Sequence, residues 1–450
     1  MWSGLGPFLV QIRSRAAGRV GAPCHLFPAG GGMTPQPSTA RIPASFSPPV
    51  SATRHPPATT PRRILPVIVA SQFAGTSLWF AVNAVMPDLQ QAWGLPAAAV
   101  GTLSSAVQLG FVAGTLVFAL AMLADRLPPT RVFLACSLAG AAVNALTLVA
   151  DGSLALLAAI RFAVGFLLAG IYPVGMKIAA AWFRERLGAA LGILVGALVL
   201  GTALPHGLRA LASAGAGGQV PWQAVVLGVS VLAALGGVAT WALVPERPVP
   251  PGQPIALRAL GLVWSDRQLR ASVFGYFGHM WELYAFIVLV PAIVATRFAA
   301  SGTVSALAFA AIAAGCAGCV AGGLLARRAG SAWVAQGQLA TSALCCVAAP
   351  LLLAAPLPLF VAWLLLWGTT VAGDSPQFST LTARNAPAAA VGSVLTFTNC
   401  IGFAISVVSI ELFVGAVQRW PLGAVLPWLA VGPALGLWMM RPLLRTRAGG

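Results

Sequence analysis

The chain has 450 residues, 58% of them hydrophobic and only 8% charged, too few charges to solvate the surface of a soluble domain of this size. Its net charge of +17 raises the question of a nucleic-acid partner, but the basic residues are dispersed among long apolar stretches, a pattern that faces anionic lipid. Unbroken apolar runs also exclude a transmembrane barrel, whose strands alternate apolar and polar residues.

Residues 1–62 are rich in Pro, Ser, Ala and Arg, contain no Asp, Glu or Lys, and read as a disordered basic tail. The run from Phe8 to Ile12 is too short for the apolar core of a secretory signal. An organellar leader is the alternative, and Met33 is a second candidate for the translation start. Twelve apolar stretches follow, at 65–85, 98–120, 132–150, 154–176, 189–211, 222–244, 273–296, 304–325, 334–354, 359–381, 391–415 and 422–440. Each is long enough, at about 1.5 Å per residue, to cross a hydrocarbon core of roughly 30 Å as a helix. The 49 glycines and 34 prolines are tolerated in such helices because neighbours satisfy the freed backbone.

With the amino terminus inside, seventeen Arg and Lys residues from Arg62 onward fall in cytoplasmic segments. Only Arg209, Arg297 and Arg419 fall outside. The bias predicts both termini in the cytoplasm. Six of the seven cysteines lie within the predicted helices and Cys24 in the tail, so no disulfide framework is expected. The Cys316 and Cys319 pair sits in an Ala/Gly-rich setting without a nearby His and reads as packing rather than a metal site; no metal or cofactor is predicted.

The helices divide into two similar sixes. Ala169-Gly170-Ile171-Tyr172-Pro173 in the fourth is echoed by Ala372-Gly373-Asp374-Ser375-Pro376 in the tenth, and Trp79 in the first by Trp281 in the seventh. The turn Ala124-Asp125-Arg126-Leu127 after the second helix is echoed by Ala326-Arg327-Arg328-Ala329 after the eighth. The predicted organisation is a tail over 1–62, a first six-helix half over 63–246, a cytoplasmic linker over 247–270 and a second half over 271–450. Parallel repeats of this kind place a substrate site between the halves near the midplane.

On these features the chain resembles the major facilitator superfamily from about residue 63 to 445. The superfamily's pattern between helices two and three, Gly, three residues, then Asp-Arg-x-Gly-Arg, is met by Asp125 and Arg126, with Arg131 supplying later charge. Ala121 and Pro128 stand where its glycines would be. The matching second-half turn keeps Gly322, Arg327, Arg328 and Gly330, and the fourth-helix pattern of Arg followed four residues later by Gly is present as Arg161 and Gly165. The resemblance implies an all-α membrane fold of twelve helices in two pseudo-symmetric halves, usually monomeric. It also implies a cavity lined by helices one, four, seven and ten, with Asp125, Arg126, Arg131, Arg327 and Arg328 in gating loops.

Polar residues on those four helices are the site candidates. Arg161 near the centre of the fourth is costly to insert and is expected either to clamp carbonyls within its half or to reach a carboxylate or an anionic substrate in the cavity. The seventh helix carries Tyr276, His279, Glu282 and Tyr284; His279 and Glu282, three apart, share a face and form the candidate proton-coupling pair, or a buried pair pinning the helix. On the tenth, Asp374 and Gln377 lie in a Gly/Pro-loosened segment suited to coupling or a hinge. Tyr172 and Asn83 are further candidates, Asn83 with an interhelical bond as its plainer role.

No phosphate-binding Gly-Lys-Ser/Thr loop and no catalytic motif is present, so the expected function is not enzymatic. It is a secondary carrier that alternates access to a midplane site for a small solute. An anion is the leading class because of Arg161, and protons are the expected coupling ion. An efflux antiporter is the alternative and a membrane sensor the remote one. The Trp79 to Asn83 stretch, the His279 to Tyr284 cluster and the segment from Gly392 to Glu411 look loosely like nitrate/nitrite and cyanate-type porters. The arginines of nitrate porters on helices two and eight have no counterpart here.

Overall fold

A computed structural model describes residues 61–183, 187–215, 221–247 and 258–445. The tail over 1–60, residues 248–257 of the linker, two short loops and the last five residues lie outside the described residues, as do the expectations made for them. Among the described residues every regular element is a helix. Eleven are long and apolar enough to span a bilayer. The first of the twelve expected spans is different, because it is broken.

It begins as the 13-residue helix Ile64–Thr76 and resumes as the short turn Asn83–Val85 and the helix Met86–Trp93. The local cause is legible in Gly75-Thr76-Ser77. Thr76 Oγ1 donates to the carbonyl of Gln72 at 2.8 Å and Ser77 Oγ to that of Ala74 at 2.6 Å. Such back-bonding competes with the helical N–H groups. From Ser77 to Val82 the backbone runs through turns, leaving carbonyls for other donors. The fourth and tenth spans also break, between Leu154–Leu168 and Tyr172–Trp182 and between Leu357–Gly373 and Ser375–Asn385, each ahead of a proline in the first turn. The helix is thus interrupted at Gly373 to Pro376, where a loosened segment was expected, and the interruption has a counterpart in the first half.

Packing repeats between the halves. A Cβ on Gly165 of the fourth span would stand 2.0 Å from the carbonyl oxygen of Val107 on the second; one on Gly368 of the tenth would stand 1.8 Å from that of Ala311 on the eighth. Neither position can carry a side chain, and close backbone approach is how membrane helices associate without a hydrophobic drive. The seam between the halves is formed by the fifth span on the eighth and the second on the eleventh. Large apolar side chains such as Leu235, Leu344, Leu351 and Trp438 are exposed on the outer surface, as a lipid-facing belt requires. The seventh span is the most enclosed, with 78% of its central window buried.

The turn after the second span is strained. Met122 has φ 49°, in the left-handed region, one residue after Ala121, where the superfamily pattern carries glycine. Nearby, Glu246 Oε1 accepts from the Thr130 amide at 2.9 Å and from its hydroxyl at 2.5 Å, capping the third span, while Arg247 lies 3.8 Å over the Trp182 ring. Left-handed backbone costs a residue with a Cβ about 1 kcal/mol. Met122→Gly should therefore raise the unfolding temperature of the purified protein; a fall would show that Met122 packing outweighs the backbone strain.

Candidate transport site

Arg161 is fully buried, and its guanidinium plugs the break in the first span. Nη2 donates to the carbonyls of Leu78, at 2.8 Å, and of Trp79, while Nη1 donates to Asn144 Oδ1 at 3.1 Å. Asn144 in turn donates to Ser230 Oγ at 3.0 Å on the sixth span. The knot ties spans one, three, four and six together. An intramembrane arginine costs roughly 2.5 to 3.5 kcal/mol to insert. Three bonds to a charged donor, each worth about 1.5 to 3 kcal/mol, offset that cost.

This corrects one of the two expectations for Arg161. Among the described residues it pairs with no carboxylate, and its terminal nitrogens bond to carbonyls and to Asn144 inside its own half, the contacts of a carbonyl clamp. The clamp also positions Trp79, whose Nε1 donates to Gln108 Oε1 at 3.0 Å. Further along, Asn83 donates to Ser104 Oγ at 2.8 Å, the plainer of its two expected roles. Arg209 of the fifth span holds the other end of the break, through the Ala84 carbonyl at 2.5 Å and Asp88 at 2.8 Å.

A second correction concerns the seventh span. His279 and Glu282 do not pair. His279 Nδ1 lies 2.7 Å from Asp374 Oδ1 on the tenth span, both side chains buried, and its Nε2 has no hydrogen-bond partner. Glu282 is instead held by three donors: Trp367 Nε1 at 2.6 Å, Cys346 Sγ at 3.1 Å and Ser342 Oγ. Along the seventh span His279 precedes Glu282, whereas their partners Asp374 and Trp367 come in the reverse order, as antiparallel neighbours require. Two polar contacts thus stitch span seven to span ten, and Glu282 also reaches span nine.

All three tyrosines of the chain converge where the halves meet: Tyr172 from the fourth span faces Tyr276 and Tyr284 from the seventh. None of their hydroxyls bonds to another described residue. Tyr276 is 5.9 Å from the His279 ring, which has Phe378 at the same distance on another side. Cys319 Sγ donates to the Ala372 carbonyl at 3.3 Å, beside the tenth-span break. Gln377 is buried one turn beyond Asp374. Above the tyrosines, Trp79, Phe80 and Phe111 of the first half meet Tyr284 and Phe403 of the second.

In the turns, Asp125 pairs with Lys177 at 2.5 Å, and Lys177 also donates to the Ala124 carbonyl at 2.6 Å. Arg126, Arg131, Arg327 and Arg328 are exposed. Sequence reasoning missed Gln108, Asn144, Lys177, Ser342, Cys346 and Trp367. One signal for them existed: Asn144 and Cys346 are separated by the same interval as Trp79 and Trp281, so the repeat places them at matching sites on spans three and nine.

Twelve spans in two repeated halves, with buried polar contacts inside each half and aromatic rings where the halves meet, make the architecture of a membrane transporter. The chain belongs to the Major Facilitator Superfamily, whose family model matches residues 68–410. Three solved structures share the fold. The human organic anion transporter MFSD10 (TETRAN) is 16% identical, with 84% of this chain and 99% of that one covered and a TM-score of 0.63. An inward-facing, unoccupied bacterial homolog of the human lysosomal transporter Spinster is 15% identical, with 85% and 97% covered and a TM-score of 0.63. The E. coli fucose:proton symporter is 14% identical, with 84% and 97% covered and a TM-score of 0.56. No curated protein matches the chain.

The Glu282 contacts generate a stability prediction. A glutamine there can accept from Trp367 and Cys346 through its oxygen and donate to Ser342 Oγ through its nitrogen, so Glu282→Gln should keep the wild-type unfolding temperature or raise it. Glu282→Ala strands the Trp367 and Ser342 donors at about 1 to 3 kcal/mol each and should melt well below it. Equal melting of the two variants would show that the cage contributes nothing to the fold.

Proposed function

We propose that this protein is a proton-coupled secondary transporter that carries a small solute across the bacterial cytoplasmic membrane as a monomer, with both termini inside. The observation that carries the reading is the His279 and Asp374 pair, buried between spans seven and ten beside the tenth-span break. The imidazole Nδ1 and the Asp374 Oδ1 lie 2.7 Å apart without the alignment of a hydrogen bond, so a small reorientation would let a proton pass between them, and the unpartnered Nε2 gives the proton a second station. Tyr276 beside His279 and Tyr172 across the seam connect the pair to the other half. Loosening the break separates the pair, and rejoining it expels water; this is a two-state element that both a proton and a solute can bias.

The case for an anion rested on Arg161. Both terminal nitrogens of Arg161 are bonded inside its half, which supports a structural role over solute binding. The loose likeness to nitrate/nitrite and cyanate-type porters thereby loses its chemical support. Of the three structural neighbours, the fucose:proton symporter is named for the coupling proposed here and MFSD10 for organic anions.

Proteoliposomes with an imposed pH gradient and a panel of labelled sugars, amides, carboxylates and inorganic anions test the reading. Asp374→Asn should abolish gradient-driven accumulation while leaving counterflow exchange of the same solute, and Glu282→Gln should leave accumulation within about twofold, a difference of less than 0.5 kcal/mol. Accumulation that survives Asp374→Asn with an unchanged pH profile, or that follows Na⁺ instead, overturns the proton site.

A further inference from the structure

The tenth span is interrupted at Asp374 itself: one helix ends at Gly373 and the next starts at Ser375. The span gives that residue little to hold it. Gly373 has no side chain to key the break, Asp374 makes no capping bond to the helix that follows, and neither of its side-chain oxygens has a hydrogen-bond partner. Placement of the carboxyl group therefore falls to the neighbouring helices. Span eight supplies the floor: a Cβ on Gly318 would stand 1.9 Å from the Thr369 carbonyl oxygen, and one on Gly373 would stand 2.9 Å from the Gly318 carbonyl oxygen. Cys319, the next residue on span eight, donates to the Ala372 carbonyl at 3.3 Å.

Span nine supplies a brace. Gln338 reaches the break from the helix Ser331–Leu352, and its Nε2 donates to the Gly318 carbonyl at 3.2 Å. The amide fits because two glycines make room for it: a Cβ on Gly373 would stand 2.6 Å from Nε2, and one on Gly322 would stand 2.9 Å from it. One side chain thus touches both the residue before Asp374 and the helix on which that residue rests. Its Oε1 is buried and accepts from no described residue. An unpartnered buried oxygen is costly, and methionine would fill the same notch without one, so packing alone does not account for a glutamine here. We propose that Gln338 is a positioning residue for the proton pair: together with Cys319 it fixes the break so that Asp374 stays opposite His279. The first-span break is braced in the same manner, by a polar side chain from another helix of its own half. The inference rests on the pair taken above as the proton site, and it can be tested without a transported solute.

The chain has four histidines, so NMR of isotope-labelled histidine in the full-length protein in lipid nanodiscs follows the His279 ring, assigned with His279→Gln. The other titratable groups around the pair are Tyr276 and Glu282 on span seven, Cys319 on span eight, Cys346 on span nine, Tyr172 on span four and Cys400 on span eleven, and the variants change none of them. Asp374→Asn gives the reference, the titration midpoint of His279 without its partner. Gln338→Met, which fills the notch and removes the donor, should move the wild-type midpoint toward that reference by at least about half a pH unit. Gly322→Ala, which keeps Gln338 but crowds its amide, should move it in the same direction, and it carries the test if Gln338→Met does not fold. A wild-type midpoint in the folded variants, with Asp374→Asn shifted, overturns the positioning role and leaves the proton pair standing. If Asp374→Asn leaves the midpoint where it was, the two groups do not interact, and the pair and its positioning residue fall together. Gradient-driven accumulation that survives Asp374→Asn while Gln338→Met still moves the midpoint sinks the coupling reading alone.

Discussion

A guanidinium buried against the carbonyls of an interrupted helix is the interaction on which the remainder of the site depends. Without Arg161, the carbonyls of Leu78 and Trp79 would lie unpaired in the protein interior, and the turn from Ser77 to Val82 would have no reason to persist over a regular helix. With it, the first span becomes two half-helices joined by a stiff elbow, and the elbow carries Trp79 to the seam. The same contacts pass through Asn144 and Ser230 to spans three and six, so the elbow is anchored to the body of its half rather than to its own helix alone.

The second half answers this cation with a carboxyl group in a comparable place. Glu282 on the seventh span, the counterpart of the first, is bonded to span nine through Ser342 and Cys346 and to span ten through Trp367, the counterparts of spans three and four. Arg161 in one half and Glu282 in the other are thus each held by three contacts within their own half. Buried ions held in this way define a unique arrangement of helices more than they add stability. What lies between the halves is left to neutral hydroxyls and aromatic faces, with the His279 and Asp374 pair as the titratable element beside them.

Much of this was legible in the chain and some could not be. Twelve spans, their pairing into repeats and the weak point at Gly373 to Pro376 follow from apolar length and from proline, which act locally. The break at Ser77 is hidden because the stretch from Leu65 to Val85 is apolar on average, and hydropathy does not report hydroxyls such as those of Thr76 and Ser77 that bond backward along their own helix. Spacing placed His279 and Glu282 on one face, which is true, yet their partners were set by the neighbouring helix. Asp374 lies far along the chain, and the seventh span is enclosed on nearly all sides, so each side chain has several neighbours to choose among. Arg161 was recognised as exceptional, but its charge alone could not distinguish an anion from a ring of carbonyl dipoles.

Amide hydrogen exchange followed by mass spectrometry on Arg161→Met tests the central claim most directly, because methionine fills the volume and removes only the donors. The account predicts that exchange in the peptide covering residues 77–85 rises toward that of an open loop while peptides from the seventh span keep their wild-type protection. Unchanged protection at 77–85 in the variant would contradict it, since the elbow would then stand without its clamp.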